Sequence, residues 1–318
     1  MKRILLYMLM LLTRVASGQA ISTTGVERDT QRDAFWRVSY DNDFFTATDY
    51  YFTQGIVVEV VSPRLRGFPL RKVLLAPPHS TMRYGLIYED DGYTASDLKV
   101  RQILINDHPY AGTKQLRMFA IGVDSARRQR VTSSLNFGII GQGAGGAEIQ
   151  TFIHRHTGNT IPQGWPNQIR NDVIVNYEAA FERAVVRSGE HLLVTATGAG
   201  RVGTFNTALN TGATVLVGRV GDPFRATRGG RQLYFYAKPQ LNVVGYDATL
   251  QGGLFNRTSP YTIASRDLSR LVYRQQLGIV YRSNTHFFEY YYTVATREFT
   301  GGRAHKSGGI VLGFMHGR

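Results

Sequence analysis

The sequence predicts an all-β fold: a transmembrane antiparallel β-barrel of about twelve strands, with a short helix in an extracellular loop. Three observations carry the prediction. Alternation of apolar and polar residues with period two recurs along the chain, in segments often near the ~10 residues that a tilted membrane strand needs. The composition is rich in glycine (34 of 318 residues), tyrosine (18) and phenylalanine (17), and contains no cysteine. Beyond the N-terminus no apolar run approaches the ~18 residues of a helical span, yet the chain opens on what reads as an export leader.

Residues 1–20 form that leader: basic Lys2 and Arg3, apolar Ile4 to Leu12, then small residues from Ala16 to Ala20. Residues 21–318 are read as one barrel domain. Its strands are expected near Phe35–Tyr40, Tyr51–Val61, Tyr84–Tyr93 (the weakest pattern), Lys114–Asp124, Val131–Ile140, Asp172–Glu182, His191–Val202, Ala208–Val217, Leu233–Tyr246, Arg270–Tyr281, Thr285–Arg297 and Gly308–Phe314. In the sixth, Val173, Val175, Tyr177 and Phe181 share one face, and Asp172, Asn176, Glu178 and Glu182 the other. In the eleventh, Phe288, Tyr290 and Tyr292 oppose Glu289 and Thr293. Gly, Asn and Asp punctuate the gaps as turns require. Tyr290, Tyr291 and Tyr292 are assigned to a lipid-facing band, and Trp165 to an interfacial anchor.

One segment departs from this period. After Gly143 to Gly146, the residues Ile149, Phe152, Ile153 and His156 follow helical spacing, with Gln150 and His154 on a second ridge. Outer-membrane barrels keep their longer loops outside, so the helix is placed at the extracellular rim.

The precursor carries a formal charge of +14, and removing Lys2, Arg3 and Arg14 with the leader lowers it by three to +11. In an exported chain this points to anionic lipid head groups or lipopolysaccharide phosphates as partners, and no nucleic-acid motif is present. Lys99, Arg101, Arg155 and Arg170 lie near the expected rim, where each can meet a lipid phosphate or simply be a solvated charge. No serine elbow and no cysteine offers a covalent nucleophile. The run Asp41-Asn42-Asp43-Phe44-Phe45-Thr46-Ala47-Thr48-Asp49 sets many oxygens beside apolar strands, as a cation site, a catalytic site or a polar strand end would.

Six segments together resemble the outer-membrane lipid A 3'-O-deacylase family. They are YDNDFFTATDYYFTQG (40–55), NDHPYAGT (106–113), GIIGQGAGGAEIQTFIHRHTG (138–158), PQGWPNQIRND (162–172), GYDATLQGGLF (245–255) and REFTGGRAHKSGGIVLGF (297–314). The resemblance implies a twelve-stranded barrel of the Gram-negative outer membrane, acting as a monomer in the surrounding lipid. Its site would lie between the barrel wall and a loop helix near the outer leaflet. The implied reaction is calcium-dependent hydrolysis of the 3'-linked acyloxyacyl ester of lipid A. By the same resemblance Asp43 is the leading Ca2+ ligand with Asn42 beside it organising the site, His154 is the general base, and Asp172 a supporting acid or orienter. Two positions depart from the family pattern: His108 stands where arginine is usual before Pro-Tyr-Ala-Gly, and Pro166 where a polar residue follows the tryptophan. A non-catalytic barrel, either a pore or a lipopolysaccharide-binding scaffold, is the alternative.

Overall fold

The computed structural model describes residues 25–42, 50–225 and 230–316, so the expected leader lies outside the described residues. Twelve antiparallel strands close into a barrel: β1 (Ala34–Asn42), β2 (Tyr51–Val61), β3 (Thr81–Thr94), β4 (Ala111–Asp124), β5 (Gln129–Ile140), β6 (Asp172–Ser188), β7 (Leu192–Gly203), β8 (Asn206–Arg219), β9 (Gln232–Asp247), β10 (Leu271–Arg282), β11 (His286–Ala295) and β12 (His305–His316). Each pairs with its sequence neighbours, and β1 meets β12 from Ala34↔His316 to Asn42↔Gly308. Every expected strand is present. Closure leaves no strand edge bare, the condition for a sheet in hydrocarbon. A helix, α1 (Gly146–Thr157), sits in the long β5–β6 connection, and a single turn, α2 (Ala248–Gln251), follows β9.

Strand alternation sorts the side chains into two solvents. Leu116, Phe137, Val173, Val175, Phe235, Leu277, Phe288 and Tyr290 point outward and stay exposed, as a lipid-facing surface requires. Opposite them, Arg37, Glu59, Arg83, Glu89, Arg117, Arg130, Lys238 and Glu289 are buried in the lumen. Tyr291 corrects the reading of the three-tyrosine run. The intervening position must face the other way, and the ring is buried in the lumen with 1 % exposure.

The lumen is not open. Residues 25–33, just ahead of β1, run into its lower part as a strap. Glu27 Oε1 accepts from Lys238 Nζ at 2.7 Å, and Arg28 Nε donates to Glu289 Oε2 at 2.6 Å. Asp29 is clasped by Arg83 at 2.8 and 2.7 Å and by Arg130 at 2.8 Å. Arg37 and Arg282 donate to strap carbonyls, those of Arg28 and of Asp29 and Thr30. The strap is therefore tied to β1, β3, β5, β9, β10 and β11, all around the wall. Phe35, Val57, Val61, Ile87, Phe119, Leu193, Leu216 and Val220 pack the same level. Two guanidinium groups and burial act on Asp29 in opposite directions, and the guanidiniums win, holding its carboxyl well below the usual carboxylate range.

Candidate functional site between helix and wall

The site is built where β1 to β4 reach the rim. In β3 and β4 the outward positions just below the rim, Tyr88 and Leu116, are 39 % and 52 % exposed. One row higher the outward Asp90 is 3 % exposed, although its strand phase aims it away from the lumen. Something covers the outer wall there, and it is the β5–β6 loop with α1. A Cβ on outward Gly112 would stand 3.2 Å from the backbone of Gly146, and one on Gly146 would meet the Trp165 ring at 2.8 Å. Two residues without side chains let the first turn of α1 lie directly against the wall.

Which face of α1 meets the barrel is the unexpected part. The buried helix residues are Gly146, Gln150 and His154, so the polar ridge packs inward. Gln150 Nε2 donates to Thr53 Oγ1 at 2.8 Å. Thr53 is the extra residue of a bulge between Phe52 and Gln54 of β2, which frees its side chain from the regular alternation. Gln150 Oε1 in turn accepts from the indole of Trp165 at 2.8 Å. Trp165 is thus a buried support of the helix, 5 % exposed, and not an interfacial anchor. His156, expected to pack, is exposed, with its ring 4.2 Å from that of Phe152.

His154 lies one turn beyond Gln150 on the same ridge, about 6 Å along the axis. Its Nδ1 is 2.6 Å from the carbonyl oxygen of Thr160. A carbonyl can only accept, so Nδ1 carries the proton and the neutral ring keeps its lone pair on Nε2. Gly158, at φ +74°, makes this possible: it ends the helix in the left-handed region and turns Thr160 back under the ring. Asn42 closes β1 in the outward phase, and its Nδ2 donates to Tyr40 Oη at 2.9 Å. Asp90 meets Lys114 Nζ at 3.3 Å, with its Oδ1 buried and unpartnered. By strand phase Asn42, Asp90 and Lys114 lie on the outside of the wall, the side against which α1 packs with Gln150 and His154.

A family model for the outer membrane protein LpxR matches residues 5–316. The chain belongs to the LpxR family. Among solved structures it is similar to LpxR from Salmonella typhimurium, at TM-score 0.72 and 17 % identity over 89 % of this chain and 100 % of that one. The β domain of the Bordetella autotransporter BrkA matches at TM-score 0.46 and 10 % identity, over 90 % and 100 %. No curated protein matches the chain. The Salmonella likeness carries the closed twelve-strand fold, and the family places the protein in the outer membrane.

Within this LpxR-family barrel, the residues named from sequence divide. Asn42 ends β1 in the outward phase, and His154 lies on the ridge of α1 that packs toward the wall. Asp43 lies outside the described residues. Asp172 has a different task from orienting the histidine. The even positions of β6 point into the lumen, on the other side of the wall. There Asp172 Oδ2 accepts from the backbone of Phe255 at 2.7 Å and Asn256 at 2.8 Å, pinning the β9–β10 loop. The orienter of His154 is the Thr160 carbonyl. His108 also lies lumenward, its ring 5.5 Å from that of Tyr93 and nearly parallel to it. Burial pushes its imidazole below the usual range. Sequence reasoning missed Thr53, Trp165 and Thr160. The i, i+4 pair Gln150/His154 beside a glycine-flanked helix was the available signal. Among the described residues no group of three or more acids and histidines could hold a metal ion. Asp90 Oδ1, buried in the outward row without a hydrogen-bond partner, is a hard oxygen donor of the kind that calcium takes.

Proposed function

We propose that the protein hydrolyses the 3'-linked acyloxyacyl ester of lipid A from the outer leaflet, with calcium as its metal. One observation carries the reading. A histidine whose Nδ1 is committed to a backbone carbonyl, leaving Nε2 as the basic atom, sits on the wall-facing ridge of the loop helix of an LpxR-family barrel. Nε2 of His154 takes a proton from water as the water oxygen bonds to the ester carbonyl carbon. The Nδ1–H···O=C bond to Thr160 strengthens as the ring gains charge. The bond from carbonyl carbon to sugar oxygen then breaks, and His154 returns the proton to that oxygen, giving a free 3'-hydroxyl and the released acid. Gln150, fixed by Trp165 and Thr53, keeps the helix in register with the wall while this happens. Calcium, held by Asp43 with Asn42, would polarise the ester carbonyl. The buried, ion-paired strap argues against the pore alternative, because it fills the lumen that a pore would need.

The test is mass spectrometry of lipid A from cells expressing the protein. The wild type is expected to remove the 3' acyloxyacyl mass. His154→Ala, and wild type under chelation, are expected to leave it in place while the barrel remains folded. An unchanged lipid A profile with the wild-type protein in the outer membrane ends the hydrolase reading.

A further inference from the structure

Helix α1 is amphipathic in the reverse sense of a helix on a water-soluble protein. Its wall-facing ridge is the polar pair Gln150 and His154, and the side turned away carries exposed Phe152, flanked by half-buried Ile149 and Ile153. Phe152 is 63 % exposed, more than Leu116 (52 %), Phe137 (43 %) or Val173 (52 %) on the lipid-facing strands beside it. Large apolar side chains so exposed cost free energy in water and none in hydrocarbon.

The position agrees. The first turn of α1 touches the outside of β4 at Gly112, so its far side faces whatever surrounds the barrel. The lipid-facing band rises almost to that level: Val173 is the second residue of β6 and pairs with Ile139, which pairs with Lys114 one row below the helix contact. The last turn changes character, with exposed Arg155, His156 and Thr157 at the end where head groups would lie. An apolar middle with a basic end, continuous with the bilayer surface of the barrel, is the pattern of a helix lying in a membrane interface.

We infer that the Phe152 face of α1 is immersed in the acyl chains of the outer leaflet, making the outer side of this loop helix part of the lipid-contact surface. This does not rest on the hydrolase reading, only on the outer-membrane barrel and the orientation of α1.

The chain contains no cysteine, so one introduced thiol gives a single spin label. Phe152→Cys, Phe137→Cys and Asn159→Cys are labelled separately and reconstituted in phosphatidylcholine vesicles. The collision rates with oxygen and with a water-soluble nickel chelate are then compared. Phe137 reports the lipid face and Asn159, past the helix end, reports water. The label at 152 is expected to match 137, with an oxygen-to-nickel ratio several-fold above that at 159. A ratio equal to that at 159, or low collision rates with both reagents as under a protein partner, overturns the inference. No outcome depends on turnover, so failure here is distinct from failure of the hydrolase reading.

Discussion

The indole of Trp165 decides which way the Gln150 amide points, and that makes Trp165→Phe the most informative single change. Thr53 Oγ1 can either accept or donate, so by itself it would tolerate both orientations of the amide. Trp165 Nε1 can only donate, and at 2.8 Å it requires the carbonyl end of Gln150. A flipped amide would set two donors face to face in a buried place. Removing the indole N–H deletes a bond worth about 1 kcal/mol net and leaves a buried acceptor unmet, at about 1–3 kcal/mol. The smaller ring also gives up packing in the cluster of Ala95, Leu98 and Tyr110. Where this alignment sets competence, a loss of about 1–3 kcal/mol lowers kcat by roughly 5- to 150-fold, since 1.4 kcal/mol is tenfold. The assay is release of the 3' acyl group from lipid A in detergent–lipid mixed micelles, with kcat and KM measured separately. Trp36→Phe serves as the control, because Trp36 is the only other tryptophan and faces lipid. A Trp165→Phe protein that is folded and has wild-type kcat refutes the orienting role.

Three further outcomes follow from the geometry. Gly146→Val places a branched side chain into the Trp165 ring and the Gly112 backbone; activity is expected to vanish with the barrel intact, as read by gel mobility before and after heating. Asp29→Asn leaves Arg83 and Arg130 without their shared carboxylate, and a loss of about 3–5 kcal/mol is expected in urea unfolding, the range for breaking a buried ion pair. Asp29 also predicts a pH dependence. Its folded pKa is depressed, so its stabilisation is complete above the unfolded value of about 3.9 and fades as pH falls below it. The wild-type unfolding midpoint should therefore drop below about pH 4 more steeply than that of Asp29→Asn.

The strands were legible because a barrel wall separates lipid from lumen residue by residue, and a period of two survives in one sequence. The helix was legible in place but not in orientation. Periodicity locates an apolar stripe and says nothing about whether that stripe faces protein or hydrocarbon; it is Gln150 and His154, on the other ridge, that do the packing. Asp172 was misjudged because proximity in sequence to the GWPNQIRN segment does not reveal which side of the wall its strand phase selects. The strap was not seen at all. Its signal was present in the charges Glu27, Arg28 and Asp29, set just ahead of a chain whose strands hide opposite charges on alternate positions. Only three dimensions bring Lys238 and Glu289 to them, more than two hundred residues away in sequence.

That separation has a consequence for biogenesis. The seam of the cylinder joins the first strand to the last, so it cannot zip until the final residues have been delivered. The tether preceding β1 must already be tucked inside when this happens, because its ion pairs reach β3, β5, β9 and β11 from within. Shutting the seam between β1 and β12 then seals the tether in place from every side.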